Sequence, residues 1–429
     1  MESKIKTITL PNGLRIVFEK GKNAKTCSAV IWVASGSSYE TPETAGHSHF
    51  IEHMVFKGSH KRSALDIAVE TDEIGGYLNA YTAREGTCFY IRMLSEHTEK
   101  ALDVLCDMVR NPRLDENDIE LEKGVIKEEI SMYEDSPEDL CFGAFYENVW
   151  KKSMLGSDIL GSAETVDAVT KESLEAHMRK FYVPERTVIS VSGNFDEKAA
   201  LRICKSYFAD LKNTGFELNP VDAEYNPNTV TVKKSVMQNQ VILGFPGVPV
   251  RDKRREAALL ISSILGNTPS SRLFQHIREK LGLVYSIETT CVSYFKAGVF
   301  TVSMGLNEKS EEKAVCETLK IISDFSKTVT EKELARAKEQ SVTSFVMDLE
   351  NISSHASRNG RNMLFYNKII PQEEIIRDIR AVTLEDIRKT ADEIFDLSRI
   401  SVCVAGKVKS KKRYKEILNS AIQGSNEND

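Results

Sequence analysis

The 429-residue chain lacks several features that would each open a class of function. None of its eight cysteines (Cys27, Cys88, Cys106, Cys141, Cys204, Cys291, Cys316 and Cys403) belongs to a Cys-x-x-Cys pair, and they lie far apart. That spacing argues against a zinc knuckle and for reduced thiols over a disulfide frame. No uncharged apolar run reaches the 18 residues that a membrane-spanning helix needs, so no membrane partner is expected. Positive charge is not in excess. The net charge is -6 with both signs interleaved, and the one locally basic stretch, Lys407 to Lys415, reads as solvated surface, which excludes a nucleic-acid partner. Met1 to Lys6 leads into strand-like sequence with no apolar signal-peptide core, so the expectation is an unexported, cytoplasmic protein.

What is present is an ordinary globular composition, 41% apolar and 28% charged, in a chain longer than one core supports; two or more domains are expected. The most informative stretch is His49-Phe50-Ile51-Glu52-His53. On a helix, residues three and four apart share a face, so His49 and His53 can reach one ion with Glu52 beside it. Neutral imidazoles suit zinc, and a catalytic zinc takes three protein ligands and leaves a position for water. Glu52 is then the natural general base for that water. The order His-x-x-Glu-His is the reverse of the commoner metalloprotease motif and marks the inverted zincins. Apolar Phe50, Ile51, Met54, Val55 and Phe56 flank the polar trio, so the segment reads as lining an interior cavity rather than as a solvated face.

Two histidines leave such a site one ligand short. Asp115 to Tyr133 reads as a helix that follows Pro112, with Asp115 or Asn117 as its cap, and it carries Glu116, Glu120, Glu122, Glu128 and Glu129, with Glu134 just beyond. The spacing of the residues does not choose among these carboxylates.

The segment Gly46-His47-Ser48-His49-Phe50-Ile51-Glu52-His53-Met54-Val55-Phe56-Lys57-Gly58 resembles the active-site segment of the pitrilysin and insulinase family of zinc peptidases, and Glu122-Lys123-Gly124-Val125-Ile126-Lys127-Glu128-Glu129-Ile130 resembles its Glu-rich helix. The resemblance implies one zinc ion per chain held by His49, His53 and Glu129, with Glu122, two turns before Glu129, as a supporting carboxylate. It further implies that Gly75 to Thr82 is an edge strand whose backbone near Asn79 and Ala80 binds substrate as an added strand. Ser270 to Tyr285 resembles the family's substrate clamp, in which Arg278 holds substrate and Tyr285 faces the oxyanion. The implied activity is endopeptide hydrolysis of unfolded peptides or extended presequences.

An internal repeat organises the chain. At an offset of 213 residues, Val169 to Leu174 falls on Val382 to Ile387 and Thr187 to Gly193 on Ile400 to Gly406. The strand around Ala29 to Gly36 falls on Ile242 to Pro249, with a better fit when slipped by two residues so that Gly36 meets Gly247. The expected fold is α+β, two structurally similar domains that each pack helices on a mainly antiparallel sheet: 1–213 with the metal set, a linker at 214–228, and 229–429 with Arg278 and Tyr285. Strand Thr87 to Leu94 is expected near Ile5 to Phe18, and Ser162 to Phe181 as one helix. His49 and His53 map to Ser262 and Gly266, so the copy has no such ligand set. Longer family members carry about twice as much sequence, which implies a dimer here: a homodimer in which each clamp serves the partner's zinc, or a heterodimer with a paralogue. The competing expectation is a non-catalytic scaffold or partner subunit of a heterodimeric processing peptidase.

Overall fold

The computed structural model describes residues 4–215 and 221–426, so residues 216–220 of the expected linker lie outside the described residues. The strands are β1 (Lys4–Thr9), β2 (Arg15–Lys20), β3 (Thr26–Val33), β4 (Tyr77–Thr82), β5 (Thr87–Leu94), β6 (Thr187–Gly193), β7 (Thr229–Lys233), β8 (Asn239–Pro246), β9 (Val284–Ser293), β10 (Gly298–Leu306) and β11 (Ser401–Gly406). They form a six-stranded sheet ordered β1-β2-β6-β3-β5-β4 and a five-stranded sheet ordered β7-β11-β8-β10-β9. In the first, β2 runs parallel to β6 and every other pairing is antiparallel; in the second, β7 runs parallel to β11 and the rest is antiparallel. Apart from the extra edge strand β1, the two sheets have one topology. The turns that join β4 to β5 and β9 to β10 close on Thr82 opposite Thr87 and on Ser293 opposite Gly298, both 211 positions apart. The slip of two residues at Gly36 and Gly247 therefore runs through the hairpin as well. Both glycines sit against a neighbouring backbone that leaves no room for a Cβ.

The chain divides into two compact units, each made of three segments: Met1–Ile130, Ser157–Asn219 and Val346–Pro371 in the first, Ser131–Gly156, Pro220–Phe345 and Gln372–Asp429 in the second. This modifies the contiguous division at 213 and 229. The reason is that both faces of each sheet need cover, and one cover comes from the other end of the chain. Cys27, Ala29, Ile31 and Val33 of β3 face the main core of the first unit. With period two, Trp32 points to the opposite face, where its indole N–H donates to Ser357 O at 3.1 Å in the helix Ile352–Tyr366. Gly360 lets that helix lie close, since a Cβ there would come within 2.7 Å of Trp32 Cδ1. In the second unit the corresponding face, with Ile242, Val299, Cys403 and Ala405, is covered by Cys141, Phe145 and Val149 of α5 (Pro137–Val149).

The other face of the first unit's sheet is served by α1 (His47–Val55), α2 (Ala64–Glu73), α3 (Thr98–Arg110) and α4 (Glu116–Asp135), the last of which passes into the second unit at its end. Asp115 Oδ1 accepts the N–H of Asn117 at the start of α4, and α3 buries Ala101, Leu102, Val104 and Leu105 in the first unit's main core. Two local expectations are corrected. Thr87 to Leu94 pairs with β3 and β4 rather than lying next to β1 and β2, because a parallel β6 is inserted between β2 and β3. The stretch Ser162 to Phe181 is two helices, Ala163–Asp167 and Lys171–Phe181, because the Thr170 hydroxyl caps the second by accepting the N–H of Ser173 at 3.2 Å. All eight cysteines are free thiols, six of them buried. Among the described residues, no helix is long and apolar enough to cross a membrane.

Candidate metal centre

The helix α1 is held by its apolar side: Phe50, Ile51, Met54 and Val55 are fully buried in the first unit's core. Its start is fixed by polar contacts. Gly46 precedes the helix at φ +90°, in the left-handed region, and a Cβ there would meet Leu160 O at 2.5 Å. The Glu40 carboxylate accepts the N–H groups of Gly46 and Ser48 at 2.8 and 2.6 Å. Beneath the first turn, the Ser48 hydroxyl lies 3.1 Å from Ser35 Oγ and 3.3 Å from Nε2 of the buried His177. Burial pushes the His177 imidazole down to about 3, so it is a neutral partner in this network.

From this helix, His49 and His53 project one turn apart with ring centroids 4.6 Å apart. Glu129, on α4, places Oε2 at 3.7 Å from His49 Nε2 and 3.5 Å from His53 Nε2. One ligand atom from each of the three residues lies within 4.8 Å of the others. Bonds of about 2.0–2.2 Å in a tetrahedral site separate neighbouring ligands by roughly 3.3–3.6 Å, and the two separations from Glu129 lie close to that spacing. The ring orientations agree. His53 Nδ1 is bonded to Glu122 Oε1 at 2.7 Å, which turns Nε2 toward Glu129. Burial, with help from the neighbouring His53 charge, lowers the His49 pKa to about 3 and keeps that imidazole in the neutral form that ligates metal.

The carboxylates around the trio are held in different states. Burial raises the Glu52 pKa, partly offset by the Thr82 hydroxyl, which donates to Glu52 Oε2 at 2.6 Å. Glu122 is 3% exposed, and burial would raise its pKa too, but the bond to His53 and the Lys57 ammonium, 2.5 Å from Oε2, outweigh this and lower it. For His53 burial disfavours the cation, yet the bond to Glu122 and the charges of Glu122, Glu129 and Glu52 raise its pKa.

The structure thus brings together His49, His53, Glu52, Glu122 and Glu129. Asn79 and Ala80 lie on β4, the edge strand opposite β1 in the sheet order, whose Thr82 reaches Glu52. Asn79 Oδ1 accepts the N–H of Ala80 at 2.9 Å. Arg278 and Tyr285 are in the second unit: Arg278 is exposed in the π-helical turn Phe274–Lys280 with its guanidinium over Phe274, and Tyr285, 71% exposed, is near the start of edge strand β9. Sequence reasoning missed Thr82, Lys57 and Glu40 as members of the site. Thr82 had a signal, since it is two residues past Ala80 and so shares its face of the strand. Glu40 had none, because its partners are backbone groups.

A two-sheet α+β fold with a His-His-Glu donor set and a free carboxylate alongside defines the chain as a candidate metallopeptidase. Residues 15–163 match the family model described as Insulinase (Peptidase family M16), and residues 168–341 match the Peptidase M16 inactive domain. The chain is 39% identical over 397 residues to an uncharacterized zinc protease, YmxG, of Bacillus subtilis, covering 91% of this chain and 96% of that one. It is 36% identical to an uncharacterized zinc protease of Rickettsia felis, over 92% and 96% of the two chains. In fold it is similar to a protease from Helicobacter pylori (TM-score 0.85, 21% identity, 94% and 99% covered) and to a peptidase M16 inactive domain structure from Pseudomonas fluorescens (TM-score 0.88, 19% identity, 95% and 99% covered). The chain belongs to the peptidase M16, insulinase/pitrilysin, family of zinc proteases.

Proposed function

We propose that the chain is a zinc-dependent endopeptidase that cleaves unfolded peptides or extended presequences. The observation that carries this reading is the convergence of His49, His53 and Glu129 around one point, with Glu52 beside them and tied to the edge strand through Thr82. When bound, zinc supplies a Lewis acid that polarises a carbonyl and acidifies water to a pKa of about 7. The chain's own groups do the rest. The free edge of β4 takes the peptide as an added strand at Asn79 and Ala80, using main-chain bonds common to every peptide. The Glu52 carboxylate takes one proton from the attacking water and returns it to the amine nitrogen as the peptide bond breaks. Burial suits Glu52 to this exchange, because it brings the carboxylate pKa toward that of the water it serves.

On this reading the active form is a homodimer enclosing a chamber. One protomer's Arg278 holds peptide carbonyls and its Tyr285 hydroxyl donates to the oxyanion at its partner's metal set. A heterodimer with a paralogue is the other assembly to be tested. The free thiols suit a reducing, cytoplasmic setting.

The test is cleavage of a quenched peptide by purified protein. Chelation should abolish turnover and zinc restore it, and Glu52→Gln should keep its zinc but lose cleavage. Zinc-free protein that binds partners without cleaving peptide would favour a scaffold instead. Mixing Glu52→Gln with an Arg278→Ala, Tyr285→Phe chain should recover activity if sites are shared between protomers, and no recovery would argue against sharing.

A further inference from the structure

The imidazoles of the metal set stand on one short helix, His49 in the first turn of α1 and His53 in its last, so where the nine-residue helix begins sets the position of the pair relative to Glu129. A helix begins with N–H groups that have no partner inside it. Here the sequence of the helix provides no remedy, since the cap position is Gly46 and no side chain bonds there from that residue. The remedy comes from outside. Glu40, six residues upstream between the short turns Ser37–Tyr39 and Pro42–Thr44, lays its carboxylate across the helix start. Oε2 accepts the Gly46 N–H at 2.8 Å and Oε1 the Ser48 N–H at 2.6 Å, so one side chain spans the cap residue and the second residue of the helix.

Glu40 is 5% exposed, and it forms no ion pair with a cation among the described residues. A buried carboxylate in that position is unfavourable unless fixed donors replace its water. The two N–H groups and the positive end of the helix are what replace it. Gly46 also packs against Leu160 O, which leaves no space for a Cβ. The start of the helix is thereby held by a carboxyl acceptor and packed against a neighbouring backbone.

We propose that Glu40 is the positioning residue of the metal pair: through Gly46 and Ser48 it sets where α1 begins, so that His49 Nε2 and His53 Nε2 meet Glu129. This rests on the reading of that trio as the zinc set and adds a residue that touches neither the ion nor the peptide. An ordinary cap stabilises its helix without altering what the helix presents. A positioning residue changes the affinity of the pair it aligns.

The experiment compares full-length wild type, Glu40→Gln and Glu40→Ala. Zinc affinity is measured by competition with a chromophoric chelator, coordination by the visible spectrum of the cobalt-loaded protein, turnover on a quenched peptide, and folding by thermal melts of the zinc-free protein. Glu40→Ala is expected to bind zinc about tenfold or more weakly, as displaced ligand support does elsewhere, with kcat reduced and KM unchanged. Glu40→Gln, which keeps one acceptor and the same volume, should fall between. The proposal is overturned if both variants fold and bind zinc within twofold of wild type. It is equally overturned if the melting temperature drops while zinc affinity and kcat of the folded protein do not, or if neither variant folds, since the carboxylate would then support the unit at large. Wild type that binds zinc without cleaving any peptide would sink the peptidase reading alone, and the effect of Glu40 on affinity would still be read.

Discussion

Replacing Glu122 by Gln is the sharpest test of how the metal set is oriented. The side chain is 3% exposed, bonds His53 Nδ1 at 2.7 Å and faces the Lys57 ammonium, so the substitution keeps the volume and one acceptor but removes the charge. A hydrogen bond to a charged group contributes about 1.5–3 kcal/mol against about 1 kcal/mol for a neutral one. Losing the charge should therefore cost about 1–2 kcal/mol in the orientation and basicity of His53, or roughly 5- to 30-fold in zinc affinity. This overlaps the lower part of the range of about 10- to 100-fold found when a ligand's supporting partner is changed. The assay is zinc competition against a chelator at fixed pH and ionic strength. Glu128→Gln is the matched control, because it removes the same charge from the same helix at an exposed position. A Glu122→Gln protein that binds zinc within twofold of wild type would refute the reasoning. So would an equal loss in Glu128→Gln, which would reduce the effect to long-range charge.

Thr82→Val removes the 2.6 Å bond that holds Glu52, and kcat should fall about tenfold with zinc content unchanged, read by steady-state kinetics beside metal analysis; unaltered kcat would free Glu52 from that strand. Gly360→Val places atoms against the Trp32 indole and should destabilise the protein by about 1–3 kcal/mol, visible as a lower melting temperature. The His355 pKa is raised, chiefly by the Glu19 carboxylate 2.9 Å from Nδ1, so the pair stabilises the fold fully below the unfolded-state pKa of about 6.5 and less as pH rises through the raised native value. Wild type minus His355→Gln stability, measured by denaturant melts, should shrink from pH 6 upward, and a difference that grows with pH would reverse that sign.

The parts of the site that lie close together in sequence were legible because a helix converts spacing into a face. His49, Glu52 and His53 needed only that rule. Glu129 did not follow from it, since α4 carries other glutamates at helical spacing and which face meets α1 depends on how the helices pack; the family resemblance chose among them. The repeat exposed the doubled topology, because strands that return to the same place in a sheet keep similar apolar runs. It could not expose the interleaving of the units. An amphipathic helix states that one face is buried but not which sheet buries it, and both α5 and the helix Ile352–Tyr366 cover sheets whose strands lie far away in the chain.

The second unit shows why the site and the fold came apart. Both copies keep the glycines where backbones approach too closely for a Cβ, Gly36 against the turn at Ala83 to Gly86 and Gly247 against Gly298 and Val299, because a side chain at either position would push the neighbouring backbone away. The ligands carry no such obligation. In the helix Arg255–Leu265 and its cap residue Gly266, the positions of His49 and His53 hold Ser262 and Gly266 at an offset of 213, or Leu260 and Ile264 at the 211 of the hairpins, and neither register supplies a donor set. An imidazole pair buried at those positions would need compensations like those of the first unit: a carboxylate on Nδ1, a cation behind that carboxylate and a hydroxyl on the neighbouring base. The second unit instead links its helix to edge strand β9 by a neutral pair, Ser262 and Thr289, whose hydroxyls lie 3.1 Å apart. That bond holds helix to strand without charge, which is the arrangement expected once the unit no longer has to keep several ionisable groups near one point.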